Sequence, residues 1–126
     1  MSSYLFASAA GPVDAWQAVR IWTDGPPDLS LISPSSVAEE TALFASAGRF
    51  VRILDEPLLA GRAIGESTDD FAVRFAQALR TVLAYDGGSV LVVCDELPGD
   101  WEAPFVASDR SVEVLADRLE RMVPLP

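Results

Sequence analysis

The residues able to do chemistry are few, and most of them are acids. Asp95 and Glu96 follow the apolar run Val90-Leu91-Val92-Val93-Cys94, and Glu56 follows another apolar segment ending at Leu54. Two or three carboxylates meeting at one crevice can hold a hard cation such as Mg²⁺, which makes Glu56, Asp95 and Glu96 the candidate metal ligands. Solvated acids at strand ends are the simpler reading, and neither a metal nor another cofactor is expected. Ser8 ends a short apolar segment, a place where a nucleophile can stand. The chain has no His and no Lys to serve as its base, so a small residue filling a turn is expected instead. Cys94 is the only cysteine, which excludes an internal disulfide and a thiolate zinc site. No basic neighbour is apparent to lower its pKa, so burial is expected. Trp101 and Phe105 lie in Pro98-Gly99-Asp100-Trp101-Glu102-Ala103-Pro104-Phe105. An aromatic on such a loop is either a contact anchor for a partner or a lid over a pocket.

The elements that must position these residues follow from periodicity and punctuation. Short apolar runs at Tyr4–Ala7, Leu29–Ile32, Arg49–Leu54 and Ser89–Cys94 are expected as strands, the last buried on both faces. Helices are expected over Val13–Trp22, after Ser33-Pro34, after Ser67 or Thr68, and after Ser108 or Asp109. In the second helix Val37, Thr41, Phe44 and Ala45 are expected inward, and Glu39 and Glu40 outward. In the third, Phe71, Phe75, Leu79, Val82 and Leu83 form an apolar stripe. In the fourth, Val112, Leu115, Leu119 and Met122 do so. Asp24-Gly25, Gly48 and Asp86-Gly87-Gly88 are stop signals, and Pro124 and Pro126 close the chain. Segments 55–66 and 97–107 read as loops. Strands alternating with helices predict a three-layer α/β/α sandwich around a mostly parallel sheet. The binding crevice then lies past the strand carboxyl ends, after Ala7, Ile32, Leu54 and Cys94.

Composition narrows the classes. The chain has 126 residues, half of them hydrophobic, which fits one domain over 1–126 with an ordinary core. Nineteen acids against nine bases give a net charge of −10. Such a charge repels nucleic-acid phosphate and anionic lipid, so neither is an expected partner. All the bases are Arg, which with the many Ala suggests a GC-rich bacterial genome. No basic n-region opens the sequence and no run nears the ~20 apolar residues of a membrane span, so a soluble cytoplasmic protein is expected.

A family resemblance lies at the crevice turns. Leu31-Ile32-Ser33-Pro34, with Ala38 and Thr41-Ala42, resembles the Ser-Pro-Leu-x-Arg-Ala-x-x-Thr-Ala segment of the histidine phosphatase, or phosphoglycerate mutase-like, superfamily. Gly65-Glu66-Ser67 with Asp70-Phe71 and Arg74 is similar to its Gly-Glu-Ser-x-x-Asp-Phe-x-x-Arg segment. Gln17-Ala18 matches a pair in its first helix, and Val90–Asp95 resembles its strand ending in Val-Ser-His-Gly. The resemblance runs over about residues 3–96 and implies the fold of that family in reduced size. It also implies a chemistry whose parts are missing here. The family's nucleophilic His aligns with Ser8, the preceding Arg with Ala7, the Arg of the Ser-Pro segment with Val37, and the second His with Asp95. Glu56 alone could stand for the acid that protonates the leaving group. The expectation is therefore a degenerate member: a catalytically inactive pseudoenzyme acting as a binding or regulatory module, through a protein partner or as a homodimer, with phosphate ligands disfavoured. The alternative is a small-molecule sensor or metal-dependent hydrolase built on Glu56, Asp95 and Glu96.

Overall fold

In the computed structural model, residues 2–23, 26–85 and 88–122 are described. The stop signals at Asp24-Gly25 and Asp86-Gly87, and Pro124 and Pro126, lie outside them. The order is β1 (Ser3–Ser8), α1 (Pro12–Thr23), β2 (Leu29–Ile32), α2 (Ser36–Ala45), β3 (Arg52–Asp55), a 3₁₀ turn (Pro57–Leu59), α3 (Thr68–Leu83), β4 (Ser89–Cys94), β5 (Phe105–Ser108) and α4 (Asp109–Met122).

The strands form one sheet in the order β3-β2-β4-β1-β5. The first four are parallel, and β5 runs antiparallel to β1. Alternate residues face opposite layers, as the pleat requires. Tyr4, Phe6, Val90, Val92 and Cys94 join α3 and α4 in one cluster. Leu5, Ala7, Leu91 and Val93 join α1 and α2 in the other. Two covered faces explain why β4 is apolar from Val90 to Cys94.

The third helix follows its sequence signals closely. Ser67 caps it by accepting from the Asp70 amide at 3.0 Å, acids occupy its first turn, and Phe71, Phe75, Leu79 and Val82 are buried. The second helix departs from expectation. Its cap is Ser35, not Ser33, and Pro34 precedes the helix rather than opening it. Val37 and Phe44 point outward, while Ala38, Thr41, Ala42 and Ala45 face the sheet. Small residues there let α2 lie close to α1 and the strands. The third strand starts three residues later than expected and leaves Phe50 fully exposed. Met122 is likewise outward.

The largest correction is β5. Phe105–Ser108 is a strand, not loop, because the open edge of β1 offers it a partner and Phe6 stacks on Phe105 at 4.8 Å. Ser108 then caps α4, accepting from the Ser111 amide. Among the described residues no helix is long and apolar enough to cross a membrane.

Gly88 marks where β2 and β4 are tied at their entry. Asp28 Oδ2 accepts from the Ser89 amide at 2.8 Å and from its hydroxyl at 3.0 Å. Gly88 has φ +106°, and a Cβ there would overlap Asp28 Oδ2. Gly88→Ala should cost about 1–2 kcal/mol, combining backbone strain with loss of this bracket. A urea midpoint equal to wild type would contradict that.

Candidate functional site

The parallel strands end together on one side, and their last residues build a crevice. Ser8 and Cys94 are register partners at the tips of β1 and β4. A cavity of about 370 Å³ opens beyond them, lined by Ser8, Asp95, Glu96, Trp101 and Glu102 among others. Among the described residues its charged lining is three carboxylates with no cation. Ser8, Asp95 and Glu96 thus meet past the strand ends, and Trp101 reaches the same crevice from the loop after them.

Ser8 does not stand ready as a nucleophile. Its Oγ accepts from the Ala10 amide at 3.2 Å, closing the turn after β1. Asp95 is held by two hydroxyls that the sequence reading missed as part of the site. Ser33 Oγ donates to Oδ2 at 2.5 Å and Ser35 Oγ to Oδ1 at 2.8 Å. Charge-assisted bonds of this kind fix a carboxylate firmly. They join β2 and α2 to β4 across the mouth of the crevice. Glu96 Oε1 accepts from the Arg62 amide at 3.1 Å.

Other candidates do not converge there. Glu56 is buried, and its Oε1 accepts from the Leu58 amide at 3.2 Å, capping the 3₁₀ turn. Among the described residues no three His, Cys, Asp or Glu are grouped so as to hold a metal ion. Glu56, Asp95 and Glu96 therefore form no common ligand set. Val37 is exposed on the first turn of α2, and Ala7 is buried under α1 and α2. Glu102, left unassigned by sequence, joins the crevice because the 97–104 loop folds back over it.

That loop is fixed by aromatics. Trp101 meets Phe75 edge-on at 5.7 Å and Phe105 at 6.1 Å. Trp101 therefore spends much of its surface on the core, as a lid does, and Phe105 is partly buried rather than free. Burying a Phe or comparable side chain contributes roughly 2–3 kcal/mol, enough to hold a short loop in place.

Arg74 is the arginine of the Gly-Glu-Ser segment, and it is fully engaged. Its Nε and Nη2 donate to the two oxygens of Glu66 at 2.9 and 2.7 Å. Nη1 donates to the carbonyls of Leu58 and Ala60, and Nη2 also to that of Gly61. These contacts use all five N–H groups of a guanidinium, leaving none for a bound anion. The loop so gathered lies against the crevice: a Cβ on Gly61 would touch Asp95 at 3.5 Å and Glu96 at 3.7 Å. The guanidinium bond, aided by the Ala63 amide, holds the Glu66 carboxyl down at about 2.

Cys94 borders the crevice but is 1% exposed. Burial, with Asp95 adding a smaller repulsion, pushes its thiol up to about 12. The thiolate that would react is therefore scarce and shielded. The folded protein should resist Ellman's reagent over a period in which the urea-unfolded chain reacts completely. Rapid labelling of the folded form would contradict the buried placement.

The fold is similar to that of the crystal structure of phosphoglycerate mutase from Plasmodium falciparum, with a TM-score of 0.50 at 17% identity. The likeness covers 74% of this chain and 60% of that one. At that identity it shows the fold alone: an α/β, phosphoglycerate mutase-like arrangement. No family model matches the sequence, and no curated protein matches it.

Proposed function

We propose that the chain is a degenerate histidine phosphatase-like protein, a pseudoenzyme that works by binding rather than by turnover. The observation that carries this reading is the crevice itself: it lies where strand ends of this fold build a site, and its charged lining is Asp95, Glu96 and Glu102 without a cation. A transferring phosphoryl group needs cationic donors around its oxygens. The chain has no His to accept it, Ser8 is tied into its turn, and the nearby Arg74 is saturated. Repulsion adds to this absence. A unit charge ~4 Å from a carboxylate is opposed by about 1 kcal/mol in water and about 4 kcal/mol near a protein surface.

What remains is a rigid scaffold whose surfaces can engage another protein. Purified protein assayed with p-nitrophenyl phosphate and phosphorylated metabolites, with and without divalent metal, tests the reading. No turnover above that of buffer is expected. Metal-independent turnover that disappears in Ser8→Ala would overturn it.

A further inference from the structure

The β5 edge of the sheet carries a groove of different chemistry. It runs between the outer edge of β5 and one face of α4, with a volume of about 390 Å³. Phe105 and Ala107 of β5 with Val114 and Leu115 of α4 give it an apolar floor, and Arg110, Ser111 and Arg118 give it polar walls. Among the described residues no carboxylate lines it. Of the four cavities described, this one alone has an exclusively cationic charged lining. Among the described residues neither arginine has an ion-pair partner, whereas the nearby Asp117 and Glu120 are both bound to Arg80.

The backbone of the groove is open as well. The Ser3 amide donates to Gly88 and the Ala9 amide to Cys94, so the odd residues of β1 turn their backbone groups toward β4. Its even residues, Tyr4 and Phe6, therefore bond to their partners Ala107 and Phe105 in β5. Val106 and Ser108 point their amides the other way, off the sheet, and Val106 is 56% exposed. A strand edge beside a helix face, with an apolar floor between them, is the geometry of strand addition.

Resting on the reading of this chain as a binding module, we propose that the β5 edge and α4 accept an extended acidic peptide of a partner protein as a sixth strand. The main-chain groups of Val106 and Ser108 pair with the peptide backbone. Val114 and Leu115 receive its apolar side chains, and Arg110 and Arg118 meet its carboxylates. Charges beyond about 8 Å are screened at physiological salt, so the local arginines outweigh the negative charge of the whole chain. A second copy of this chain fits less well. A two-fold contact sets the same patch on itself, arginine against arginine, between two bodies of charge −10.

The test is fluorescence anisotropy on the full chain, with labelled capped heptapeptides Glu-Thr-Val-Thr-Glu-Thr-Val and Lys-Thr-Val-Thr-Lys-Thr-Val, whose odd side chains share the face toward α4. The Glu peptide should bind at least about tenfold more tightly than the Lys peptide, more weakly as salt rises. Arg110→Glu with Arg118→Glu should reverse that preference. Val106→Pro removes an outward amide that β1 does not use, so it should weaken binding at least tenfold with melting unchanged. A Glu peptide N-methylated at alternate residues should lose binding to the same degree, with the protein untouched. No binding at about 1 mM, equal binding of the two peptides, or full affinity of the N-methylated peptide overturns the proposal. So does a dimer, seen by sedimentation, that Val106→Pro dissolves. Phosphoester turnover would remove the premise without altering these binding data, and peptide failure would leave the crevice reading standing.

Discussion

Arg74→Met should destabilise the protein by about 3 kcal/mol and leave its response to phosphate unchanged. The guanidinium serves three carbonyls, of Leu58, Ala60 and Gly61, at distances from 2.8 to 3.1 Å. Each carbonyl robbed of its donor costs about 1 kcal/mol or more. The Glu66 carboxylate, which water can reach, is left out of that figure. Arg74→Lys should recover little, because an ammonium lacks the planar fork that spans carboxylate and carbonyls together. Urea unfolding of the three proteins measures the differences. A retained phosphate-binding role for Arg74 predicts something else: phosphate would raise the melting temperature of wild type and not of Arg74→Met.

The same contact carries a pH dependence. Glu66 has its carboxyl depressed from 4.5 to about 2 in the folded chain, first by its bond to Arg74 and then by the Ala63 amide. A carboxyl depressed on folding stabilises the protein at pH values above its unfolded value. That contribution is lost progressively as pH falls from near 4.5 toward 2. Arg74→Met should flatten this part of the stability profile, and a profile parallel to wild type would contradict the assignment.

Asp95→Arg combined with Glu96→Gln and Glu102→Gln should raise affinity for inorganic phosphate at least a hundredfold. The substitutions move the local charge from three negative to one positive. Even at the aqueous value of about 1 kcal/mol per unit charge at ~4 Å, four increments amount to nearly a thousandfold, which salt then reduces. The hydroxyls of Ser33 and Ser35, released from Asp95, become available as further donors. Phosphoester turnover should still be absent, because no imidazole is restored. Isothermal titration of a variant that melts like wild type measures the change. Unaltered affinity would mean that the crevice carboxylates do not govern anion binding.

Much of this arrangement was legible in the residues. The unbroken apolar run of β4 announced burial on both faces, and the Ser67 cap with the Phe71–Val82 stripe fixed α3. Ser8 and Asp95 were placed at one crevice by the rule that parallel strands end on the same side. The misses have physical causes. Apolarity alone sent Val37 and Phe44 inward, but close packing against α1 favours the smaller Ala38, Ala42 and Ala45. β5 has four residues and gains its structure from β1, about a hundred positions earlier, so no local pattern betrays it. The bond between Ser33 and Asp95 spans 62 positions, and only the sheet order brings the two together. Glu56 looked like a crevice acid because it follows a strand; its side chain instead satisfies an amide two residues ahead.

The proposed function requires the cleft past β1 and β4 to reject a phosphoryl group. Amide NMR of the wild-type chain, titrated with phosphate in the presence of a chelator, tests it most directly. No saturable shift is expected at Ser8, Asp95 or Glu96 up to about 50 mM phosphate. A saturable shift of those amides at sub-millimolar phosphate would contradict it.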